Sequence, residues 1–316
     1  MLPIFFGNGR SKNMKLSEFS PTSQKSPRRS IFASLGISAP ESRWGFNEAI
    51  RDRYIVLKAC AIFTFQKETA YWLDNWASVL STTFYTISML VFIHVLYGNV
   101  KTVAGYTKND TLLFFLVAQI SFYSSWAISA QNMQEFILDV NRGDLDLILT
   151  KPMPALFYIT FKRIRFFSGI IRDGLPPTLA IVFSINWSAL HFSTNDIFFG
   201  VVLFILGEIC LHVLQFLASI PVIWLGESLS ILKLAFDVEY FAGRYAPLEG
   251  FSTNFRLIFS TLLPVMIVTG FTTSVLLGKS NGAILMFWSF VVTVCALFVR
   301  AWVWKLALRS YTSASS

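Results

Sequence analysis

Charged side chains are scarce in this chain of 316 residues: Asp, Glu, Lys and Arg make up 14%, against roughly 25% in soluble globular domains. Cysteine is scarcer still. Cys60, Cys210 and Cys295 are odd in number, widely spaced and without a CxxC pair, which argues against a disulfide framework and a cysteine-based zinc cluster. Two of the three fall in apolar runs, where cysteine packs as a small hydrophobe. With three histidines, His94, His191 and His212, a multi-histidine metal site is not expected. Gly at 17 and Pro at 11 are too few for a collagenous or low-complexity chain. No HExxH, GxSxG or GxGxxG stretch occurs. The closest thing to a phosphate loop, TSVLLGKS from Thr273 to Ser280, has Thr273 where the first glycine belongs and no strand before it.

Apolar residues are what the chain has in excess. Hydrophobic residues reach 54% and aromatics 16%, with 32 Phe and a mean hydropathy of +0.57. Too little polar surface remains to cover water-soluble cores of this size, so the apolar surface must face lipid. The expected class is an all-α, polytopic membrane protein with six transmembrane helices. Six stretches have about the 20 residues needed to cross the hydrocarbon layer: about 76–96, 111–130, 175–192, 197–225, 257–277 and 283–304. Asp110 is placed as the N-cap of the second, and Pro176 and Pro177 suit the first turn of the third. Residues 1–43, with SPTSQKSPRRS at Ser20 to Ser30, read as a disordered basic cytoplasmic tail ahead of a transmembrane domain at 44–316. That tail does not have the charge-then-apolar order of a signal peptide, and Met14 is a second possible start. Residues 44 to about 69 mix apolar clusters with Arg51, Arg53, Lys58 and Lys67, as an amphipathic helix at the membrane interface would.

Positive charge sets the expected orientation. With the N-terminus inside, 11 Lys/Arg precede the first span, 6 lie between the second and third, 3 between the fourth and fifth, and 3 follow from the end of the sixth. Only Lys101, Lys108 and Lys279 remain outside, so both termini are expected in the cytoplasm. The same scatter argues against nucleic acid as a partner, because no single basic groove with interleaved aromatics is formed.

Two segments carry candidate function. In the fourth span Glu208 costs roughly 2.5–3.5 kcal/mol to insert, and His212 and Gln215 follow on the same helix face. This polar stripe is either a proton-linked or substrate-contacting site or a set of packing hydrogen bonds. Between the second and third spans, Glu135 to Leu156 reads EFILDVNRGDLDLILTKPMPAL. Gly143 suits a helix stop, Leu145, Leu147 and Leu149 alternate with Asp144 and Asp146, and Pro152 ends the run. A short, partly apolar element there is either a docking surface for a soluble partner or a connector lying on the bilayer.

That loop resembles the "G, x, L/I, D, x, L, L, x, +, P" stretch of permease subunits in the six-helix subfamily of type-2 ABC exporters, with Gly143, Leu145, Asp146, Leu149, Lys151 and Pro152 at the matching positions. Tyr245 and Pro247, then Pro264, then Leu276, Leu277 and Gly278 are similar to the family's "YP", central proline and "LLG" ending. ETAYWLDN, Glu68 to Asn75, is a looser third match. The resemblance implies a permease with no catalytic residues and no cofactor of its own, ATP and Mg being held by cytosolic ABC ATPase subunits. It implies that Gln134, Gly143, Asp144, Leu145, Asp146, Leu149 and Pro152 belong to an ATPase-coupling segment, with residues 46–69 as a second contact. It further implies a second permease subunit, as homo- or heterodimer, in a lipid bilayer, most simply the bacterial cytoplasmic membrane. A proton-coupled secondary transporter using Glu208 and His212, or a non-transporting membrane scaffold, are the alternatives.

Overall fold

The computed structural model describes residues 46–69, 72–151, 153–244 and 247–311. The basic tail, Pro152, Tyr245 and part of the 68–75 match lie outside the described residues. Those described are helical with no strand; their one β-like feature is an isolated bridge between Val103 and Tyr106. We number the helices α1 (Phe46–Thr69) and α2 (Trp72–Asn99), then α3 (Lys108–Asn141), α4 (Leu145–Leu149) and α5 (Ala155–Phe161). There follow α6 (Phe166–Ser184) and α7 (Thr194–Leu225), α8 (Leu229–Arg244), α9 (Thr253–Leu262) and α10 (Ile267–Leu276), and α11 (Gly282–Ser310).

Among the described residues, five helices are long and apolar enough to cross a membrane: α2 from Trp76, α3, α6, α7 and α11. Local chemistry explains where they differ from the expected spans. α3 starts three residues early because Thr107, not Asp110, is the N-cap: Asp110 N donates to Thr107 Oγ1 at 3.3 Å and Thr107 N to Asp110 Oδ2 at 3.0 Å, a reciprocal capping box. α3 also runs on to Asn141, well past the expected end near 130. α6 begins at Phe166 with a π-helical stretch and stops at Ser184. Beyond it Ile185 is extended, the Asn186 carbonyl accepts from Asn109, and the Trp187 indole donates to Val182 O at 3.0 Å. Those bonds close the helix and leave 185–192 as a loop.

The stretch expected as the fifth span is a bent pair. α9 and α10 meet at 109° across Leu263 to Met266, where Pro264 lacks an N–H and its ring clashes with the preceding turn. Both ends of the pair lie beside the same loops. Glu249, just before α9, accepts from Ser274 Oγ near the end of α10 at 2.9 Å, and Ser274 also bonds Ser280 at 2.7 Å. The pair therefore enters and leaves on one side. α8 is the other helix of this region that runs through the depth of the bundle. At its start Ser228 Oγ donates to Ser219 O near the end of α7; at its end Arg244 donates to Gln119, eleven residues into α3. Sixteen helical residues rise about 24 Å, short of the roughly 30 Å hydrocarbon layer by themselves. The described residues therefore provide five to six crossings, with the region 229–276 in the place expected for the fifth span. Arg256, counted above with the inner charges, moves to the Glu249 side.

Gly207 makes the bent pair fit. A Cβ at this position would sit 2.4 Å from Val268 Cα, so only glycine lets α7 and α10 approach this closely. At the loop side, Lys279 Nζ lies 3.7 Å over the Tyr106 ring, donates to Gly105 O at 2.7 Å and stands 3.3 Å from Asp110. Burial, and next the Glu249 carboxylate, push the Tyr106 phenol up. At the opposite end Phe136, Phe216 and Trp304 pack ring against ring, joined by Leu145 and Ile148 of the α3–α4 region.

Candidate functional site

The site is built around a π-helical turn in α3, Trp126–Ala130. Such a turn shifts the backbone ladder and leaves carbonyls for other partners. Here the Ala127 carbonyl accepts from Arg165 N at 2.9 Å, and the serines flanking and within the turn, Ser125 and Ser129, turn toward α7. Gln215, fully buried, meets both: its Oε1 accepts from Ser129 Oγ at 2.7 Å, and its Nε2 donates to Ser125 Oγ and to Glu239 Oε2, each at 2.9 Å. Ser129 Oγ also lies 2.7 Å from His212 Nδ1. Because the one serine proton goes to Gln215, Nδ1 carries the hydrogen of that contact. His212 Nε2 then faces Thr160 Oγ1 at 3.2 Å, which accepts from the Arg300 guanidinium at 2.9 Å. One network thus joins α3, α5, α7, α8 and α11.

The expected stripe is therefore divided. His212 and Gln215 meet through Ser129, whereas Glu208 points elsewhere, toward the hydroxyls of Ser121 and Ser124, with its Oε1 shielded from solvent and unpartnered among the described residues. Glu208, His212 and Arg300 all line a cavity of about 620 Å³. Beyond it, Arg244 stacks on Phe122 at 4.2 Å and Tyr240 at 5.0 Å, and Gln119 passes its hydrogen bonds on to Thr86 and Tyr123. Glu239 and Arg244 escape a sequence reading because Lys233, Asp237 and the two of them make α8 look like a polar connector. The 3.6-residue spacing of Leu232, Ala235 and Ala242, all buried, is the signal that would have found it.

The second candidate segment is docked onto this frame. Gly143 has φ +77, and Asp144 N donates to Asp139 O at 2.8 Å and Gly143 N to Val140 O at 3.0 Å, the glycine-terminated helix stop that was expected. Leu145 is buried in the core with Ile148, while Leu147 is 65% and Leu149 38% exposed. The leucine alternation belongs to a short helix, not an extended strand, so Leu145 and Leu147 point in opposite directions. Gln134 is half-buried and Asn141, Arg142 and Thr150 are exposed. Asn132 fastens the segment to α5: its Nδ2 lies 2.8 Å from the carbonyls of Ile128 and Thr160 and 2.7 Å from that of Arg163, and its Oδ1 accepts from Arg163 N at 3.0 Å. Glu135 pairs with Arg163 and Lys162, and Asp139 with Lys162 at 2.6 Å. Asn132 and these ion pairs carry no motif that a sequence reading could pick out.

Several apolar crossings around a buried polar network, with an exposed loop clamped to it, define a multi-pass membrane protein. The family model for ABC-2 family transporter proteins matches residues 83–315. The chain belongs to that family, whose members are membrane transport permeases. No curated protein and no solved structure matches it.

Proposed function

We propose that this chain is the permease subunit of an ATP-driven exporter. Cytosolic ABC ATPase subunits, which hold the ATP and Mg, dock on the tip formed by the end of α3 and by α4, and α1 provides a second contact. The chain pairs with a second permease subunit in the bacterial cytoplasmic membrane, with both termini on the ATPase side. The observation that carries this reading is that one helix, α3, runs from the Tyr106 loop through the polar network to the exposed tip. A push on Leu147 and Leu149 passes the Gly143 turn, which the Asp144 N–Asp139 O bond ties to α3, and reaches Gln215 and His212 through Asn132, the ion pairs and the π-helical turn. Rigid transmission of this kind is what converts partner closure into helix rearrangement. Basic residues crowd the tip end of the bundle, which supports its placement in the cytoplasm.

The test is co-purification with a cytosolic ABC ATPase co-expressed from the same source. Leu147→Asp combined with Leu149→Asp is expected to abolish association while the permease still elutes as a folded species. Leu145→Asp, which buries a charge, is expected to unfold the tip instead. Full association and ATP-driven transport in the double variant would refute the assignment of the docking surface.

A further inference from the structure

The 620 Å³ cavity between α3, α5, α7 and α11 has chemistry that neither the fold nor the family assigns. Its volume falls in the range of small-molecule sites, about 300–1,000 Å³. The walls are graded along α7. Toward one end they are apolar, with Phe204, Ile205 and Leu297; toward the other they hold Thr160, Arg53 and Arg300. It is open at the side, since Ile205 is 54% and Leu297 40% exposed.

The two cations have no carboxylate partner among the described residues. Arg53 lies 5.6 Å from the Phe157 ring centroid. Arg300 touches Thr160 and the Phe216 ring, and its Nε is shielded from solvent with no hydrogen-bond partner. A guanidinium with an unused donor beside apolar walls is matched by an anionic oxygen. Midway along the cavity Glu208 presents the opposite character: the hydroxyls of Ser121 and Ser124 lie toward its carboxylate, but its Oε1 is shielded and has no hydrogen-bond partner among the described residues. Leaving such groups buried and unpaired is unfavourable, and a ligand that pairs both removes the penalty.

We propose that this cavity binds an anionic amphiphile, its phosphate or carboxylate head at Arg53 and Arg300, its chain along Phe204, Ile205 and Leu297, and a hydroxyl or amide of its linker donating to Glu208. The ligand enters sideways from the leaflet nearest α4. Calling this ligand the transported cargo rests on the permease reading; the binding itself does not.

The experiment uses the full chain reconstituted in phosphatidylcholine bilayers, with chain-spin-labelled phosphatidic acid or phosphatidylcholine as probe and the motionally restricted fraction read by electron paramagnetic resonance. Phosphatidic acid is expected to be preferred by roughly three- to tenfold, as charge-assisted contacts allow. The preference is expected to vanish in Arg53→Gln/Arg300→Gln and to persist in Lys305→Gln/Arg309→Gln, which removes two other cations near the same end of α11. Should the double arginine variant misfold, Leu297→Trp fills the cavity without touching a charge and is expected to reduce the preference too. A preference equal in all variants would mean general surface attraction and overturn the proposal, as would no preference at all. Displacement of the labelled lipid by millimolar inorganic phosphate would show a site that reads the anion alone, refuting the amphiphile. None of these readouts requires an ATPase, so their failure is separate from failure of the permease reading.

Discussion

Replacing Asn132 by alanine tests whether the tip moves with the bundle. The wild-type side chain shares two amide hydrogens among three carbonyls, those of Ile128, Thr160 and Arg163, and accepts from Arg163 N. Ile128 lies inside the π-helical turn, where the backbone ladder is already displaced. Alanine strips the Thr160 carbonyl and both Arg163 backbone groups of this partner. At about 1–3 kcal/mol per buried group left unpaired, and with Arg163 near enough to water to recover some of it, the expected loss is about 2–4 kcal/mol. Aspartate is the sharper probe: it keeps the shape and the acceptor for Arg163 N but turns an anion toward three carbonyls, so Asn132→Asp is expected to be less stable than Asn132→Ala. Unfolding titrations in mixed detergent micelles measure both. The ATPase should still bind Asn132→Ala, because Leu147 and Leu149 are unchanged, whereas ATP-driven transport should fall. Stability within about 0.5 kcal/mol of wild type, or an aspartate milder than the alanine, would refute the argument.

Three further outcomes are expected. Gly207→Ala places a methyl 2.4 Å from Val268 Cα and should cost about 1–3 kcal/mol through overpacking; an unchanged thermal midpoint would contradict the close approach of α7 and α10. Lys279→Met removes the contacts to Tyr106, Gly105 and Asp110 and should lose about 1–2 kcal/mol, seen as faster proteolysis of the loop after Asn99; equal proteolysis would mean that these contacts do not hold the loop. Glu208→Gln keeps an acceptor oxygen in the cavity but removes the ionisable group, so under the proposed ATP-driven mechanism transport should continue; abolished transport with intact assembly and intact lipid binding would favour the proton-coupled alternative.

Particular helices show why some of this was legible in the sequence. α2, α7 and α11 are long apolar runs with few charges, and insertion into lipid leaves such runs little choice but to cross. The Gly143 stop is local backbone chemistry and appears as expected. α8 was hidden because its charges are satisfied by other helices: Glu239 by Gln215 and Arg244 by Gln119, partners 24 and 125 residues away. The same long-range dependence divides the Glu208, His212 and Gln215 stripe, since which hydroxyl faces each group depends on how α3 is bulged.

Composition and hydropathy by themselves determined that this is a multi-pass helical membrane protein, because scarce charge and abundant phenylalanine allow no other solvent for its surface. Only the tertiary structure decided that 253–276 turns back on itself, that α8 threads the bundle beside it, and that Leu145 points inward while Leu147 points out. The physical reason is that lipid compatibility is summed along a segment, whereas a buried charge or a close approach depends on what lies opposite.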